Sequence, residues 1–161
     1  RRIKRHTAEM PKREYFPVAL AGYAIFRDGD KVLMHRRQNT GYHDGDYGLP
    51  AGHLESQEFA IAGTAREVEE EVGIVLKPEQ LKPVHVQFRL CGDHERMDFF
   101  FEVREWEGEP VIAEPEKADD LSWFSLDQLP DNIIPHEREA ILEAANGNFF
   151  SEYEELDNRL A

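Results

Sequence analysis

The chain has 161 residues, 40% of them hydrophobic and 32% charged, which is typical of a globular protein with one domain and its own core. Acidic residues outnumber basic residues by 33 to 19, and the formal charge of −14 disfavours bare nucleic acid and anionic membranes as partners. The single cysteine excludes a disulfide within the chain and favours a reducing, cytoplasmic location, and no apolar run reaches the roughly 20 residues of a membrane-spanning helix.

The two ends of the chain differ in charge from the part between them. Residues 1–13 carry six of the 19 basic residues, and we expect residues 1–14 to be a disordered or vector-derived leader. An arm that binds nucleic acid is the alternative interpretation of this segment. The predicted domain covers residues 15–147, and residues 148–161 form an acidic tail that we expect to be helical or frayed.

Runs of aliphatic and aromatic residues predict the strands. The first strand covers residues 15–26, and the Asp28-Gly29 pair predicts a hairpin to a second strand at 31–37. A polar, turn-rich loop at 39–48 follows, and 48–52 is a short strand or a bend. The chain then enters a predicted helix that is rich in glutamate.

A second group of strands follows this helix. Residues 82–90 and 96–106 predict a long hairpin, and 121–124 predict a further short strand. A helical turn capped by Ser125 and a helix at 135–147 complete the pattern. Together with the earlier helix, these elements predict an α/β fold in which one mixed β-sheet lies between helices.

Residues 59–72 predict an amphipathic helix whose faces differ in charge. At about 100° per residue, the spacing of a buried stripe is met by Ile61, Ala65, Val68 and Val72. A second face, roughly 130° away, presents Glu67, Glu70 and Glu71 towards a common point. We therefore expect one side of the helix to pack on the sheet and the other to present three carboxylates.

These three carboxylates repel one another by a few tenths of a kcal/mol per pair, and Arg66 is the only cation in the helix. One interpretation is a solvated acidic face. The other is a site for a hard divalent cation such as Mg²⁺ or Mn²⁺, which prefers oxygen ligands and would neutralise the cluster.

The spacing of individual residues favours the second interpretation. Residues 52–74 match the pattern G-x5-E-x7-R-E-U-x-E-E-x-G-U, in which U is an aliphatic residue. The matching residues are Gly52, Glu58, Arg66, Glu67, Val68, Glu70, Glu71, Gly73 and Ile74. This pattern resembles the signature of the Nudix hydrolases, which cleave nucleoside diphosphates linked to another moiety. The flanking segments GLPAGHLE and EPEKADDLSWFSLDQLP resemble mutator-type (MutT-like) members that act on nucleoside triphosphates, so the resemblance covers about residues 16–145.

The resemblance implies a Nudix-like α/β/α sandwich and a metal-dependent catalytic site. The metal ligands that it implies are the Ala51 carbonyl and the carboxylates of Glu67, Glu70 and Glu71. Arg66 would orient Glu67 through a charge-assisted hydrogen bond. Glu58 would brace the junction between the loop and the helix, or polarise water.

A further carboxylate often comes, in this family, from a loop that follows the long hairpin. Glu116, seven residues before Trp123, is the first candidate for a metal ligand or general base, and Glu114 is the second. The alternative is that both residues lie in a solvated acidic loop.

Three residues are candidates for contacts with the substrate. Arg36 and Arg37 end the second strand, and since neighbouring side chains of a strand point to opposite faces, we expect only one of them to hold phosphate. Asn132 follows the Leu-Pro turn, in the segment with which mutator-type relatives help to read the base, and its amide can pair with a base edge.

The leading hypothesis is a metal-dependent pyrophosphohydrolase that acts on a nucleoside triphosphate or a similar small nucleotide. ADP-ribose or a nucleotide sugar is an alternative substrate, although the proline that such relatives carry after the signature is missing between Pro83 and Pro110. Relatives that act on dinucleoside polyphosphates tend to carry a tyrosine after the signature, and the lack of a tyrosine between Tyr47 and Tyr153 disfavours such substrates for this chain. A non-catalytic nucleotide-sensing domain is the alternative from another class, but such domains usually lose signature glutamates that this chain keeps. We expect a monomer or a homodimer.

Overall fold

The computed structural model of the protein describes residues 13–156. The predicted basic leader therefore lies almost entirely outside the described residues. Within them, eight strands, two α-helices and a 3₁₀ turn at Pro78–Gln80 form the fold. The elements in chain order are β1 (Val18–Asp28), β2 (Lys31–Arg37), β3 (Tyr47–Gly48), β4 (Ala51–His53), α1 (Ala60–Val72), β5 (Lys82–Leu90), β6 (Glu95–Val103), β7 (Ala118–Ser125), α2 (Pro135–Ala145) and β8 (Phe150–Glu154). Neither of these helices is long and apolar enough to cross a membrane.

The strands form one mixed sheet in the order β3-β2-β1-β6-β5-β8, with β4 added to β1 and β7 added to β2. β1 is parallel to β6 from Val18 opposite Glu95 to Phe26 opposite Val103. β1 also pairs antiparallel with β4 and, at its far end, with β2. The predicted hairpin of β5 and β6 is present.

Side chains alternate between the two faces of the sheet, and each face has its own core. On β1, Tyr23 and Ile25 pack on the same side as Ala140 and Ile141 of α2. The neighbouring residues Ala24 and Phe26 pack on the opposite side, where the core includes two valines of α1, Val68 and Val72. The sheet therefore lies between α1 and α2, and the predicted α/β/α sandwich is confirmed.

The stripe of apolar residues on α1 packs against the sheet as predicted. Val68 and Val72 are fully buried, while Ile61 and Ala65 pack at the margin of the same core. The helix ends at Gly73, whose φ of 71° lets its N–H bond to the Glu69 carbonyl. Close packing at the centre depends on Gly22 of β1, since a Cβ there would lie 1.9 Å from the hydroxyl of Thr64.

Two local predictions were wrong. The tail is not helical over residues 150–154: these residues form β8, which pairs in parallel with the edge strand β5. By pairing with β8, the backbone groups at the edge of β5 form hydrogen bonds that they would otherwise lack. The residues of β8 are alternately exposed and partly buried, which is typical of a strand. The predicted helical turn at 125–130 is reduced to a single turn at 126–127, closed by a hydrogen bond from the Gln128 N–H to the Ser125 carbonyl, because Ser125 is the last residue of β7, opposite Lys31.

Candidate active site

The signature glutamates lie on the last turns of α1, next to the loop between β3 and β4. The backbone N–H of Ala51 donates a hydrogen bond of 2.9 Å to Oε2 of Glu71. The side chains of Glu67 and Glu71 are 17% and 16% exposed, whereas that of Glu70 is 51% exposed. Two of the three carboxylates are thus held between the helix and the loop, and the third faces solvent.

Gly52 makes this close approach possible. A Cβ on Gly52 would lie 2.0 Å from Cδ of Glu67, which is far closer than two carbon atoms can come without a bond. The carboxylate of Glu67 therefore lies against the backbone of β4, at the position that any side chain on residue 52 would occupy. While Glu67 keeps this position, only glycine fits at residue 52.

Arg66 connects several of the signature carboxylates. Its Nε and Nη2 donate to the two oxygens of Glu58 at 2.8 and 3.1 Å, and its Nη1 donates to Oε1 of Glu67 at 2.8 Å. Nη1 also lies 3.4 Å from Oε1 of Glu70. Glu58 in turn accepts a hydrogen bond from the backbone N–H of Glu55. Arg66 thus contacts Glu67 as expected, and Glu58 lies at the junction of loop and helix.

The surroundings shift the pKa values of these groups in different directions. Burial raises the pKa of Glu71 to about 8, an effect that the Ala51 N–H partly offsets, and burial also raises the pKa of Glu67. Hydrogen bonds from Arg66 lower the pKa of Glu58 to about 2. Without a cation, the buried carboxyl of Glu71 thus holds its proton at neutral pH, whereas Glu58 is ionised.

His35 is a neighbour of Glu71 that the sequence analysis did not select. Its Nε2 lies 3.9 Å from Oε2 of Glu71, and burial, followed by the charge of Arg37, lowers its pKa to about 4. The imidazole is therefore neutral at pH 7. Side chains alternate along β2, so Leu33 and His35 both lie on the α1 side of the sheet. This two-residue period is the sequence signal that could have identified His35.

The residues present suit a hard cation, although they do not form a ready-made cluster. Within residues 13–156, no three His, Cys, Asp or Glu side chains are close enough together to hold a metal ion as they stand. The donor set is nevertheless composed of carboxylate oxygens, and the buried carboxyl of Glu71 requires a positive partner in order to ionise. The backbone groups of Pro50 and Leu54 form hydrogen bonds with β1. Because successive residues of a strand point their backbone groups to opposite edges, the N–H and the carbonyl of Ala51 both point away from β1.

The acidic loop brings Glu114, rather than Glu116, towards the helix. The charge of Glu114 adds, after larger effects such as burial, to the raised pKa values of both Glu67 and Glu71, and Glu114 also accepts a hydrogen bond from Lys117 at 2.8 Å. The loop is joined to α1 because the N–H of Ala113 bonds to the Glu71 carbonyl. Glu116 is exposed. Of the two candidates, Glu114 is the better placed.

The two arginines of β2 have different surroundings. Arg36 is exposed, and its Nε donates to Asp119 at 2.7 Å. Arg37 donates to the Tyr42 carbonyl at 2.8 Å, and its charge lowers the pKa values of both Glu71 and Glu137. Arg37 is thus the arginine that lies within electrostatic range of the signature glutamates.

The start of α2 contacts the other side of the same loop. Oε1 of Glu137 accepts a hydrogen bond of 3.0 Å from the N–H of Leu49, and burial raises the pKa of Glu137 to about 8. Asn132 lies just before α2, but its amide donates to the Gly45 carbonyl at 2.8 Å. The sequence carried no signal for Glu137, since an acidic residue in the first turn of a helix is normally exposed.

Comparison with known families agrees with this geometry. The NUDIX domain family model matches residues 16–144. The chain belongs to the Nudix family. The resemblance inferred from the signature is thereby confirmed, and the loop, helix and glutamates described above are the Nudix signature in three dimensions.

Two relatives of this Nudix chain have functional names. It is 30% identical over 102 residues to the NAD-capped RNA hydrolase NudC of Stutzerimonas stutzeri, a match that covers 63% of this chain but only 34% of the relative. It is 26% identical over 126 residues to an ADP-ribose pyrophosphatase of Methanocaldococcus jannaschii, covering 78% and 73% of the two chains. The predicted enzyme class, a pyrophosphohydrolase, agrees with the family and with both names.

Solved structures share the fold. The MutT NUDIX hydrolase from Burkholderia pseudomallei superposes with a TM-score of 0.71 at 24% identity, covering 82% of this chain and 98% of the other. The MutT protein from Methanosarcina mazei Go1 also gives a TM-score of 0.71, at 21% identity, covering 82% and 96%. At these identities, the likeness supports the Nudix fold.

Proposed function

We propose that this Nudix protein hydrolyses a pyrophosphate bond in a nucleoside triphosphate, or in a similar nucleoside diphosphate derivative, with Mg²⁺ or Mn²⁺. The main support is the convergence of Glu67 and Glu71 on the backbone of Ala51 and Gly52, where a buried carboxyl needs a cation in order to ionise. The MutT-like segments on both sides of the signature favour the triphosphate.

In this proposal, the residues that would hold the cation are Glu67, Glu70, Glu71 and, through its carbonyl, Ala51. A bound divalent cation would neutralise the pyrophosphate and polarise its phosphorus. Nη1 of Arg66 donates to one oxygen of Glu67 and thereby keeps the carboxylate directed towards the loop. The second oxygen of Glu67 remains free for another partner. The acidic protein then receives its polyanionic substrate as a metal complex.

A carboxylate outside the three metal ligands takes the proton from the attacking water. Glu114 is our candidate for this base, since it lies within electrostatic range of Glu67 and Glu71 without belonging to the helix. Glu58 is a poor base, because two hydrogen bonds from Arg66 stabilise its ionised form and lower its pKa to about 2. We therefore assign Glu58 a bracing role, and we rank Glu116 below Glu114.

Arg37 is our candidate for the phosphate contact, because its charge reaches Glu71. Arg36 is paired with Asp119 and would have to exchange this partner for a phosphate. Asn132 keeps its carbonyl oxygen for a base edge, while its amide nitrogen holds the loop that ends in β3.

A second candidate function is the hydrolysis of ADP-ribose or a nucleotide sugar. It is favoured by the match to the ADP-ribose pyrophosphatase, which covers 78% of this chain. Both candidate reactions use the same metal site and differ only in the group beyond the pyrophosphate. A non-catalytic, nucleotide-sensing role is less compatible with a chain that keeps every signature glutamate.

A screen of product release separates these candidates. The wild type and Glu71→Gln would be incubated with nucleoside triphosphates, ADP-ribose and nucleotide sugars, with Mg²⁺ and with Mn²⁺ in parallel. We expect pyrophosphate to be released from at least one triphosphate by the wild type only. Preferential formation of nucleoside monophosphate from ADP-ribose would favour the second candidate, and binding without turnover of any compound would contradict both.

A further inference from the structure

A second group of buried charges lies on the α2 side of the sheet, away from the α1 carboxylates. Arg89 of β5 is 2% exposed, and its Nε donates at 2.6 Å to Asp98 of β6, which is fully buried. The Nη1 of Arg89 donates at 2.9 Å to Oε2 of Glu155, the first residue after β8. A buried guanidinium thus takes one of its two carboxylate partners from the end of the C-terminal strand.

Two further groups converge on the same carboxylate. The hydroxyl of Tyr42 donates to Oε1 of Glu155 at 3.3 Å, and Nε2 of His43 lies 3.8 Å from that oxygen. Both residues belong to the loop between β2 and β3. His43 adopts a φ of 48°, a conformation that is uncommon for a residue with a side chain. The other ring nitrogen of His43, Nδ1, lies 2.9 Å from Oδ2 of Asp46. A guanidinium, a phenol and an imidazole thus surround one carboxylate, and a guanidinium is well suited to bind carboxylate and phosphate oxygens.

The charges of this group require an anion at the position of Glu155. Arg96 lies beside the pair, with its Nε 3.8 Å from Oδ1 of Asp98. That Nε and that Oδ1 are both buried, and neither has a hydrogen-bond partner among the described residues. Without Glu155, the guanidinium groups of the buried Arg89 and the partly exposed Arg96 would share the single carboxylate of Asp98, leaving one excess positive charge beside Arg89.

The carboxylate of Glu155 is more exposed than the guanidinium of Arg89 that it contacts. Its side chain is 30% exposed, against 2% for Arg89, and the next residue, Leu156, is 74% exposed. β8 is the outermost strand of the sheet and is five residues long. The carboxylate thus comes from the edge of the sheet, where the N–H of Glu155 bonds to the Leu90 carbonyl, while Arg89 belongs to the buried part of the fold.

The receptor is connected to the α1 site through His53. Nη1 of Arg96 lies 3.0 Å from Nε2 of His53, and the backbone carbonyl of His53 accepts a hydrogen bond of 3.2 Å from Arg66. The contact path runs from Glu155 through Arg89, Asp98, Arg96 and His53 to Arg66.

We propose that Arg89, Tyr42 and His43 form a second anion-binding site, for a phosphate or carboxylate group, and that Glu155 occupies this site as an internal competitor. The group belongs either to the nucleotide substrate, an assignment that rests on the proposed function, or to a free anion that acts on the protein. In both cases, the C-terminal segment must release Glu155 before the anion binds.

Inorganic phosphate tests the site without any hydrolysis. Thermal unfolding of the wild type, Glu155→Gln and Glu154→Gln would be followed against phosphate in the absence of divalent cations, with NaCl at matched ionic strength. Glu154→Gln is the matched control, since Glu154 is exposed on the same strand end. We expect phosphate to stabilise Glu155→Gln with a half-saturation concentration at least about tenfold lower than in the wild type, while Glu154→Gln resembles the wild type. Equal phosphate responses in all three proteins would overturn the proposal.

A second variant, Glu155→Asp, tests the site even if Glu155→Gln fails to fold. Glu155→Asp keeps the charge but withdraws the carboxylate by one methylene, so it should respond to phosphate more strongly than the wild type. A wild-type response in this variant, together with an unfolded Glu155→Gln, would also count against the site.

Steady-state kinetics with the substrate that the screen identifies would show whether the anion belongs to the substrate or is a free anion. A KM lowered about fivefold in Glu155→Gln at similar kcat would assign the anion to the substrate, and an unchanged KM would assign it to a free anion. If the screen finds no turnover, the proposed function fails, but the phosphate response of Glu155→Gln still tests this site.

Discussion

The N–H of Ala51 donates to the buried carboxyl of Glu71 at 2.9 Å, and two residues earlier the N–H of Leu49 donates to the buried carboxyl of Glu137 at 3.0 Å. The short loop between β3 and β4 is therefore held from both sides of the sheet, by one glutamate of each helix. This arrangement fixes the backbone of Ala51 and Gly52 beside the α1 carboxylates.

Glu71→Gln should remove most activity while leaving the fold intact. The amide keeps an oxygen that can accept from Ala51, but it removes the charge that a cation requires. Losing a metal-ligand carboxylate should lower kcat by at least about 10³ at saturating Mg²⁺. Circular dichroism would check the fold. Glu69→Gln is the matched control, because Glu69 is exposed on the same helix, and it should retain nearly all activity. More than about a tenth of wild-type kcat in Glu71→Gln would remove the metal-site assignment.

The stability of the metal-free protein should fall as the pH rises from about 7 to about 8 and should level off above that, where both states are ionised. In the folded state Glu71 and Glu137 have pKa values of about 8, above the usual 4.5, so folding binds protons that are lost as the pH passes through 8. Burial lowers the pKa values of His35 and His136, so both are neutral in this range and do not oppose the trend. Thermal unfolding in EDTA measures the effect.

Mg²⁺ or Mn²⁺ should stabilise the protein more at about pH 8 than at about pH 6, since the cation competes with the proton of Glu71. If binding of the cation releases one proton from Glu71, the metal affinity should rise about tenfold for each pH unit below 8. Glu71→Gln should abolish this dependence, whereas Glu137→Gln should keep it. The same shift with NaCl at matched ionic strength would indicate simple screening.

Gly52→Ala should impair catalysis through a steric effect on Glu67. The new Cβ would meet Cδ of Glu67 at 2.0 Å, so this carboxylate must leave its position. Displacement by about 1 Å can cost roughly 10² in rate, while the clash should destabilise the fold by only about 1–3 kcal/mol. Mn²⁺ affinity and kcat are the measurements. Gly63→Ala is the control, since its Cβ would meet Leu54 and Glu58 at 2.6 and 2.7 Å instead, and it should lose less activity.

Glu114→Gln should lower kcat more than Glu116→Gln and should alter the pH dependence of kcat. The charge of Glu114 acts on Glu67 and Glu71, whereas Glu116 is exposed nearby in the same loop. Pre-steady-state and steady-state rates across the pH range would compare the two variants. If both retain near-wild-type rates, the loop does not supply the base, and the reverse order would restore Glu116 as the first candidate.

Much of this molecule could be read from local pattern. The glutamate helix was predictable because its apolar stripe and its signature residues both follow the α-helical period. The strand β2 was predictable because a glycine turn separates it from β1. The order of Glu114 and Glu116 was not predictable, since two carboxylates in one acidic loop differ only in where the folded loop directs them.

The sequence by itself determined the family, the α/β architecture and the identity of the signature carboxylates, because each depends on spacing within a short segment. Tertiary structure alone decided that Glu71 is buried beside His35, that Glu137 holds the loop from the opposite side, and that Glu155 reaches Arg89. The two residues of each contact are separated along the sequence by 36, 88 and 66 positions, respectively. No local period encodes such separations, since they arise only when the sheet brings distant strands side by side and burial changes the electrostatics of the groups between them.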